Sequence, residues 1–428
     1  MTFEILLLRQ IIHCIKNNNT GINSKKIKYT YYIFMKSVVM EIIKPHAYRF
    51  YSVLILLYFS DMILLLSNIW NSLSVTNSPL FLGCILSIGV LFPIALKKIN
   101  SNHAGSAVGL PGLYLRRIIV FAVILVGALF GIADTWIGFI ITSLCIGYLS
   151  LLTLTVLEAA NTKLVLQGHI SSQMASRIMQ TIVQLGSFFG AMASGYLLLA
   201  LNFNKLICFI CIFDIIISAT ARFIFFEKPE TRVKKSEIEH SISRKHLPAN
   251  LIYLCIVIAL VGLHISAFNV LTPVIFQNIK NLGSQYFGLC SAAAGLGAFS
   301  AAFVNINWFR FIIPAIILFL ADCIFTLSWH PYFAVLACLF IGFSINTIRI
   351  NARKFIIDNT SNDTQADQVS GMSALMYTLA QSIGPMIFGI LTGSAVLGAY
   401  SAIYLFPAVA LVMFVWVIIV RGMSGVIK

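Results

Sequence analysis

Unbroken apolar runs of about 20 residues recur along this chain, and they constrain its fold more than any other feature. They fall near residues 50–70, 80–96, 118–133, 136–158, 174–200 and 204–222, then 249–276, 285–304, 311–328, 332–349, 369–393 and 399–420. At 1.5 Å per residue, about 20 helical residues cross the ~30 Å of a bilayer's hydrocarbon. Backbone groups find no water there, so only helices and closed barrels can span it. Barrel strands are short and alternate in polarity, which these runs do not. The sequence therefore predicts an all-α polytopic membrane protein of 12 transmembrane helices in two pseudo-symmetric six-helix bundles. Composition excludes a water-soluble body independently: 59% of residues are hydrophobic and 10% charged, with mean hydropathy +0.93. Soluble domains run near 45–50% apolar and about 25% charged.

The net charge of +15 would suggest nucleic acid in a soluble protein. Here its placement explains it. With both termini in the cytoplasm, 27 of the 29 Lys and Arg fall in cytoplasmic segments, leaving only Lys205 and Lys280 outside. That asymmetry obeys the positive-inside rule and predicts a multi-pass protein of the cytoplasmic (inner) membrane. The partners it implies are membrane lipid and no nucleic acid. Cys208 and Cys211 form a C-x-x-C, but inside an apolar run and without a second pair, so no metal or cofactor is expected.

The chain divides into a basic N-terminal tail (1–45), a first six-helix bundle (46–222), a cytoplasmic linker (223–248) and a second bundle (249–428). Met35 and Met40 are alternative starts, so the tail can also be read as an over-extended beginning. A shift of 194 residues lays span five on span eleven: Ser176 meets Ser370, Gly190 meets Gly384, Ala191 meets Pro385 and Gly195 meets Gly389. Two halves related by a repeat are expected.

A charge at mid-bilayer costs about 2.5–3.5 kcal/mol on insertion scales, so intramembrane acids suggest function. Asp61, Asp214 and Asp322 lie within spans and Glu158 at the inner end of span four. With span three begun at residue 118, no Lys or Arg lies mid-span beside them, and each is expected to take up a proton. The alternative is a protonated carboxyl bonded to a neighbouring helix. Asp61, about 18 Å into the membrane from Arg49 at 1.5 Å per residue, and Glu158 are the proton-coupling candidates. Polar residues recur on one helix face in span five (Ser176, Gln180, Gln184, Ser187) and span eleven (Ser370, Ser373, Tyr377, Gln381). Together with His264 and Asn269 of span seven, Gln180, Gln184, Tyr377 and Gln381 are candidates to line a substrate cavity or to bridge helices. Arg349 and Arg353, at the inner end of span ten, are candidates to grip the partner half or to anchor at the headgroups. Metalloprotease, nucleophile-elbow and phosphate-loop motifs are all missing from the sequence, so no enzyme is expected.

Several motifs resemble the major facilitator superfamily. Gly186-x-x-x-Gly190-Ala191-x-x-x-Gly195 is similar to the glycine-rich antiporter motif of its exporters, and Gly384-Pro385-x-x-x-Gly389 stands in span eleven. His46-x-x-Arg49 leading to Ser60-Asp61, Asn269-Val-Leu-Thr-Pro273, and Ala292-x-x-Gly295-x-Gly297 resemble its siderophore-exporter-like branch. The resemblance spans residues 46–420. It departs from the family in the loop after span two, where Leu115-Arg116-Arg117 has no acidic partner. It implies a nested-repeat fold and a monomer. It also implies a secondary transporter that exchanges protons for a small organic molecule, with export favoured and a siderophore as one substrate. Uptake by the same scaffold, or a non-transporting sensor or assembly factor, are the alternatives. Within the resemblance, spans one and four line the cavity, which favours Asp61 and Glu158 over Asp214 and Asp322.

Overall fold

The computed structural model describes residues 45–99, 109–166, 172–225, 248–303, 311–360 and 363–424. Nearly all of the expected tail and linker lie outside the described residues. Among those described there are twelve α-helices and no strand. They are α1 (Pro45–Thr76), α2 (Pro79–Ile99), α3 (Leu110–Leu129), α4 (Trp136–Leu166), α5 (Ser172–Ala200) and α6 (Phe203–Ile224), then α7 (Ala249–Val274), α8 (Ser284–Ser300), α9 (Ile312–Leu327), α10 (Pro331–Asp358), α11 (Asp363–Gly393) and α12 (Ala402–Ser424). Ten helices are long and apolar enough to cross a membrane, and α9 is a shorter apolar helix.

Local chemistry sets the boundaries. Asn77 at φ 50° ends α1, and the Ser78 hydroxyl accepts from the Phe81 amide to start α2 at Pro79. The α3–α4 connection turns tightly through Gly131 at φ +73°, a left-handed conformation that glycine adopts freely. Thr135 then caps α4 by accepting from the Gly138 amide. Past Pro273, α7 loosens into a π turn over Ile275–Ile279. Proline cannot donate to the helix ladder, and such bulges gather where that ladder is broken.

Helices α1–α6 form one bundle and α7–α12 the other, with α1 against α5 and α6, α3 against α6, α7 against α11 and α12, and α8 and α9 against α10. The bundles meet where α5 packs on α8 and α2 on α11. The 194-residue repeat reappears in these contacts. Gly190 lets α5 approach α1, its absent Cβ lying 2.6 Å from the Phe59 carbonyl; Gly384 does the same for α11 on α7, 2.8 Å from Ser266 Cβ. One turn on, both helices cross to the other bundle. A Cβ on Gly195 would lie 2.7 Å from the Ser284 oxygen and 3.0 Å from Gly288 Cα, and one on Gly389 would lie 2.7 Å from the Pro79 oxygen and 3.1 Å from Gly83 Cα. Small residues at such crossings permit backbone contact, the main source of helix association in lipid. Gly186 likewise packs on α1, against Tyr58.

The two inter-bundle crossings, at Gly195 and Gly389, lie toward the end of the molecule opposite the start of α1, here the distal end. The Trp70 and Phe287 rings stack there 5.5 Å apart across the two halves. Gln277 Nε2 donates to the Trp70 carbonyl at 2.9 Å, and Ser284 Oγ to that of Gly195 at 2.9 Å. Toward the other end the halves splay among the described residues: a Cβ on Gly295 of α8 would come no nearer than 3.9 Å to Phe188, and one on Gly371 of α11 would meet nothing within 4 Å. Among the described residues the halves are sealed distally and parted toward the end where α1 begins.

Candidate functional site

Just below the distal seal lies a cavity of about 450 Å³, shared between the bundles. Its apolar wall includes Leu65 of α1, Ile85, Leu86 and Val90 of α2, and Ile146 and Leu151 of α4. Its polar lining is Ser143 and Ser150 of α4, Ser266 and Asn269 of α7, and Thr378 and Gln381 of α11. Of the residues proposed from sequence, Asn269, Gln381 and Pro385 are in this wall. Tyr377 stands behind it, accepting from Gln381 Nε2 at 3.0 Å while the Arg349 guanidinium lies 5.2 Å from its ring centre. Gln184 is half-buried on α5 and is not in the wall, and Arg353 is exposed. The side chains of Gln180 and Glu158 lie outside the described residues.

One turn from Leu65, Asp61 meets an unexpected partner. The absence of a mid-span cation, expected from sequence, is corrected here: α3 begins at Leu110, so Arg117 lies inside the helix and is fully buried. Its guanidinium grips Asp61 as a fork, Nη2–Oδ1 at 2.7 Å and Nη1–Oδ2 at 3.0 Å. From the other side it holds Asp214 of α6, Nη2–Oδ2 at 2.6 Å and Nε–Oδ1 at 3.3 Å. Nη1 also donates to Thr153 Oγ1 of α4 at 3.0 Å. All five guanidinium N–H groups are thereby engaged. Ser60 and Ser218 donate to Asp214 at 2.5 and 3.1 Å, and Phe121 lies under the cation at 5.3 Å.

This cluster holds two carboxyls and one guanidinium, so fully ionised it carries one net negative charge; a single proton makes it neutral. Asp214 is fully buried, whereas the Asp61 side chain keeps 20% of its surface exposed. Asp61 is thus the more accessible of the two carboxyls. Thr153 stands one turn from the cavity residue Ser150, which places the cluster at the cavity's edge on the open side.

The second bundle carries a counterpart on the equivalent helices. His264 of α7 meets Asp322 of α9, Nε2–Oδ2 at 2.8 Å, with both side chains fully buried. The Phe406 ring of α12 lies 5.2 Å from the imidazole. The order of acid and base is reversed relative to α1 and α3. His264 Nδ1 and Asp322 Oδ1 have no hydrogen-bond partner among the described residues, and His264 faces Asp322 instead of the cavity. Lys280, expected on the outer surface, is 8% exposed in the connection after the π turn, its Nζ donating to the Phe325 and Ser328 carbonyls at 2.6 Å each.

Sequence reasoning missed Arg117, because an arginine following Arg116 at a run's edge reads as a headgroup anchor. Two acids at mid-span without a cation were the available signal. The stripe Ser143, Gly147, Ser150 on α4, at spacings of 4 and 3, was likewise legible and overlooked.

No protein-family model matches the sequence, and no curated protein does. The fold, however, is shared with solved membrane transporters. The nucleoside transporter NupG superposes with a TM-score of 0.65 at 14% identity, over 88% of this chain and 100% of that one. A bacterial homologue of the iron transporter ferroportin, inward-facing, gives 0.63 at 12%, over 87% and 99%. A bacterial homologue of the human lysosomal transporter Spinster, inward-facing and unoccupied, gives 0.61 at 12%, over 89% and 96%.

Proposed function

We propose that this chain is a secondary active transporter of the major facilitator type, moving a small organic molecule across the cytoplasmic membrane by alternating access. The observation that carries this reading is the cavity between two pseudo-symmetric bundles, sealed on one side by backbone-close glycine crossings and parted on the other. A sensor or assembly factor on this scaffold would have no use for a cavity of this volume lined by both halves. With the termini in the cytoplasm, as the distribution of Lys and Arg favours, the structure is open inward. A reporter fused after Lys280 then lies outside and one after Arg232 inside; the reverse pattern refutes that orientation.

Proton coupling is proposed at Asp61. Ionised, it is held by Arg117 together with Asp214; protonated, it releases half of the guanidinium's fork. Since α1, α3, α4 and α6 all meet at Arg117, its hold on Asp61 bears on how the first bundle packs. Export is the favoured direction, on the likeness of Gly186–Gly195 to the exporter motif; the siderophore reading rests on the branch resemblance alone. The test is untargeted metabolite comparison of cells and medium, with and without the gene, for wild type and Asp61→Asn. The expected result is one class of metabolite displaced toward the medium by wild type and not by the variant. Displacement toward the cell means uptake, and no displacement refutes transport.

A further inference from the structure

Every polar group in the cavity wall is uncharged. Among the described residues that line it there is no Asp, Glu, Lys, Arg or His. The charged groups nearby are already committed. Arg117 spends all five N–H donors within its cluster. Arg349 lies over the far ring of Tyr377, one layer behind Gln381. An ion entering this space would lose its hydration and find no counter-charge in the wall itself, since the carboxyls at the cavity's edge are turned onto Arg117.

Two of the polar groups, Ser150 of the first bundle and Asn269 of the second, make no side-chain hydrogen bond among the described residues. The others are at least partly occupied. Ser143 accepts from Asn68, Thr378 and Ser266 donate to carbonyls of their own helices, and Gln381 gives one N–H to Tyr377. The unpartnered pair therefore stands on opposite halves of the molecule, with the apolar side chains of Ile85, Leu86 and Val90 beside it.

We propose that the cavity takes an uncharged molecule that hydrogen-bonds at two edges, to Ser150 on one bundle and to Asn269 with Gln381 on the other, and lays an apolar face on α2. The volume, about 450 Å³, suits a drug-sized ligand. This inference rests on the transporter reading and adds the substrate's charge class and the residues that sort it.

The test uses the purified full-length chain in detergent at pH 7. The probes are three pools of a bacterial metabolite extract, separated by ion exchange into anionic, cationic and neutral fractions. The neutral pool raises the unfolding midpoint of the wild type by about 2 °C or more. That rise disappears in Asn269→Ala and in Ser150→Ala, the latter at an exposed position where folding is undisturbed. A rise from only a charged pool, lost in those variants, overturns the charge class and leaves the transporter reading standing. A neutral-pool rise that survives both variants overturns the site. No rise from any pool removes the class and the reading together.

Discussion

Replacing Arg117 with Met tests whether the charged cluster is a structural centre of the first bundle. Met preserves the bulk of the side chain and removes all five donors. Asp214 would then be fully buried with only the Ser60 and Ser218 hydroxyls to serve it. Asp61, 20% exposed, can neutralise itself by taking a proton from the cavity side. Breaking a buried ion pair by removing one partner costs about 3–5 kcal/mol. At roughly 2 °C per kcal/mol for a large chain, the midpoint of Arg117→Met falls by about 6–10 °C. The asymmetry of the two acids makes the sharper test. Adding Asp214→Asn to Arg117→Met removes the stranded charge and restores most of the loss, whereas adding Asp61→Asn restores little. The assay is thermal unfolding in detergent followed by tryptophan fluorescence, for the three variants beside wild type. A wild-type midpoint in Arg117→Met, or equal rescue by the two asparagines, refutes the reasoning.

Gly195→Leu places a side chain where even a Cβ would lie 2.7 Å from the Ser284 oxygen, so the distal seal cannot close. Spin labels on the exposed Val75 and Val396, one on each half, should show a longer distance in this variant than in wild type; unchanged distances would mean that the seal does not depend on that crossing. Burial pushes the Lys280 ammonium down from its ordinary 10.5 to about 8. The folded state therefore holds fewer protons than the unfolded state between those values, so this group's contribution rises as pH climbs from about 8 to 10.5 and is lost as pH falls back to 8. The wild-type midpoint should gain on Lys280→Met across that window, and parallel curves for the two proteins would contradict the assignment.

The spans could be read from the sequence because lipid leaves a crossing backbone no choice but to bond within its own helix, and a helix has one length for a given thickness. The repeat was equally legible, since Gly190 and Gly384, then Gly195 and Gly389, keep one register through both halves. Asn269 and Gln381 could be proposed for the cavity wall because polar side chains in an apolar helix need something to face. What the sequence could not assign was partnership. Arg116 and Arg117 are adjacent and chemically identical, but a helix turns about 100° between neighbours, so Arg116 reaches the Tyr148 hydroxyl at 3.3 Å while Arg117 is buried between two aspartates. Those aspartates stand 56 and 97 residues away in the chain, and only the packing of α3 against α1 and α6 brings them together. His264, polar and mid-span like Asn269, was drawn away from the cavity by Asp322 for the same reason. Local composition fixes which residues enter the membrane; the crossing of backbones at glycines decides which of them share a space.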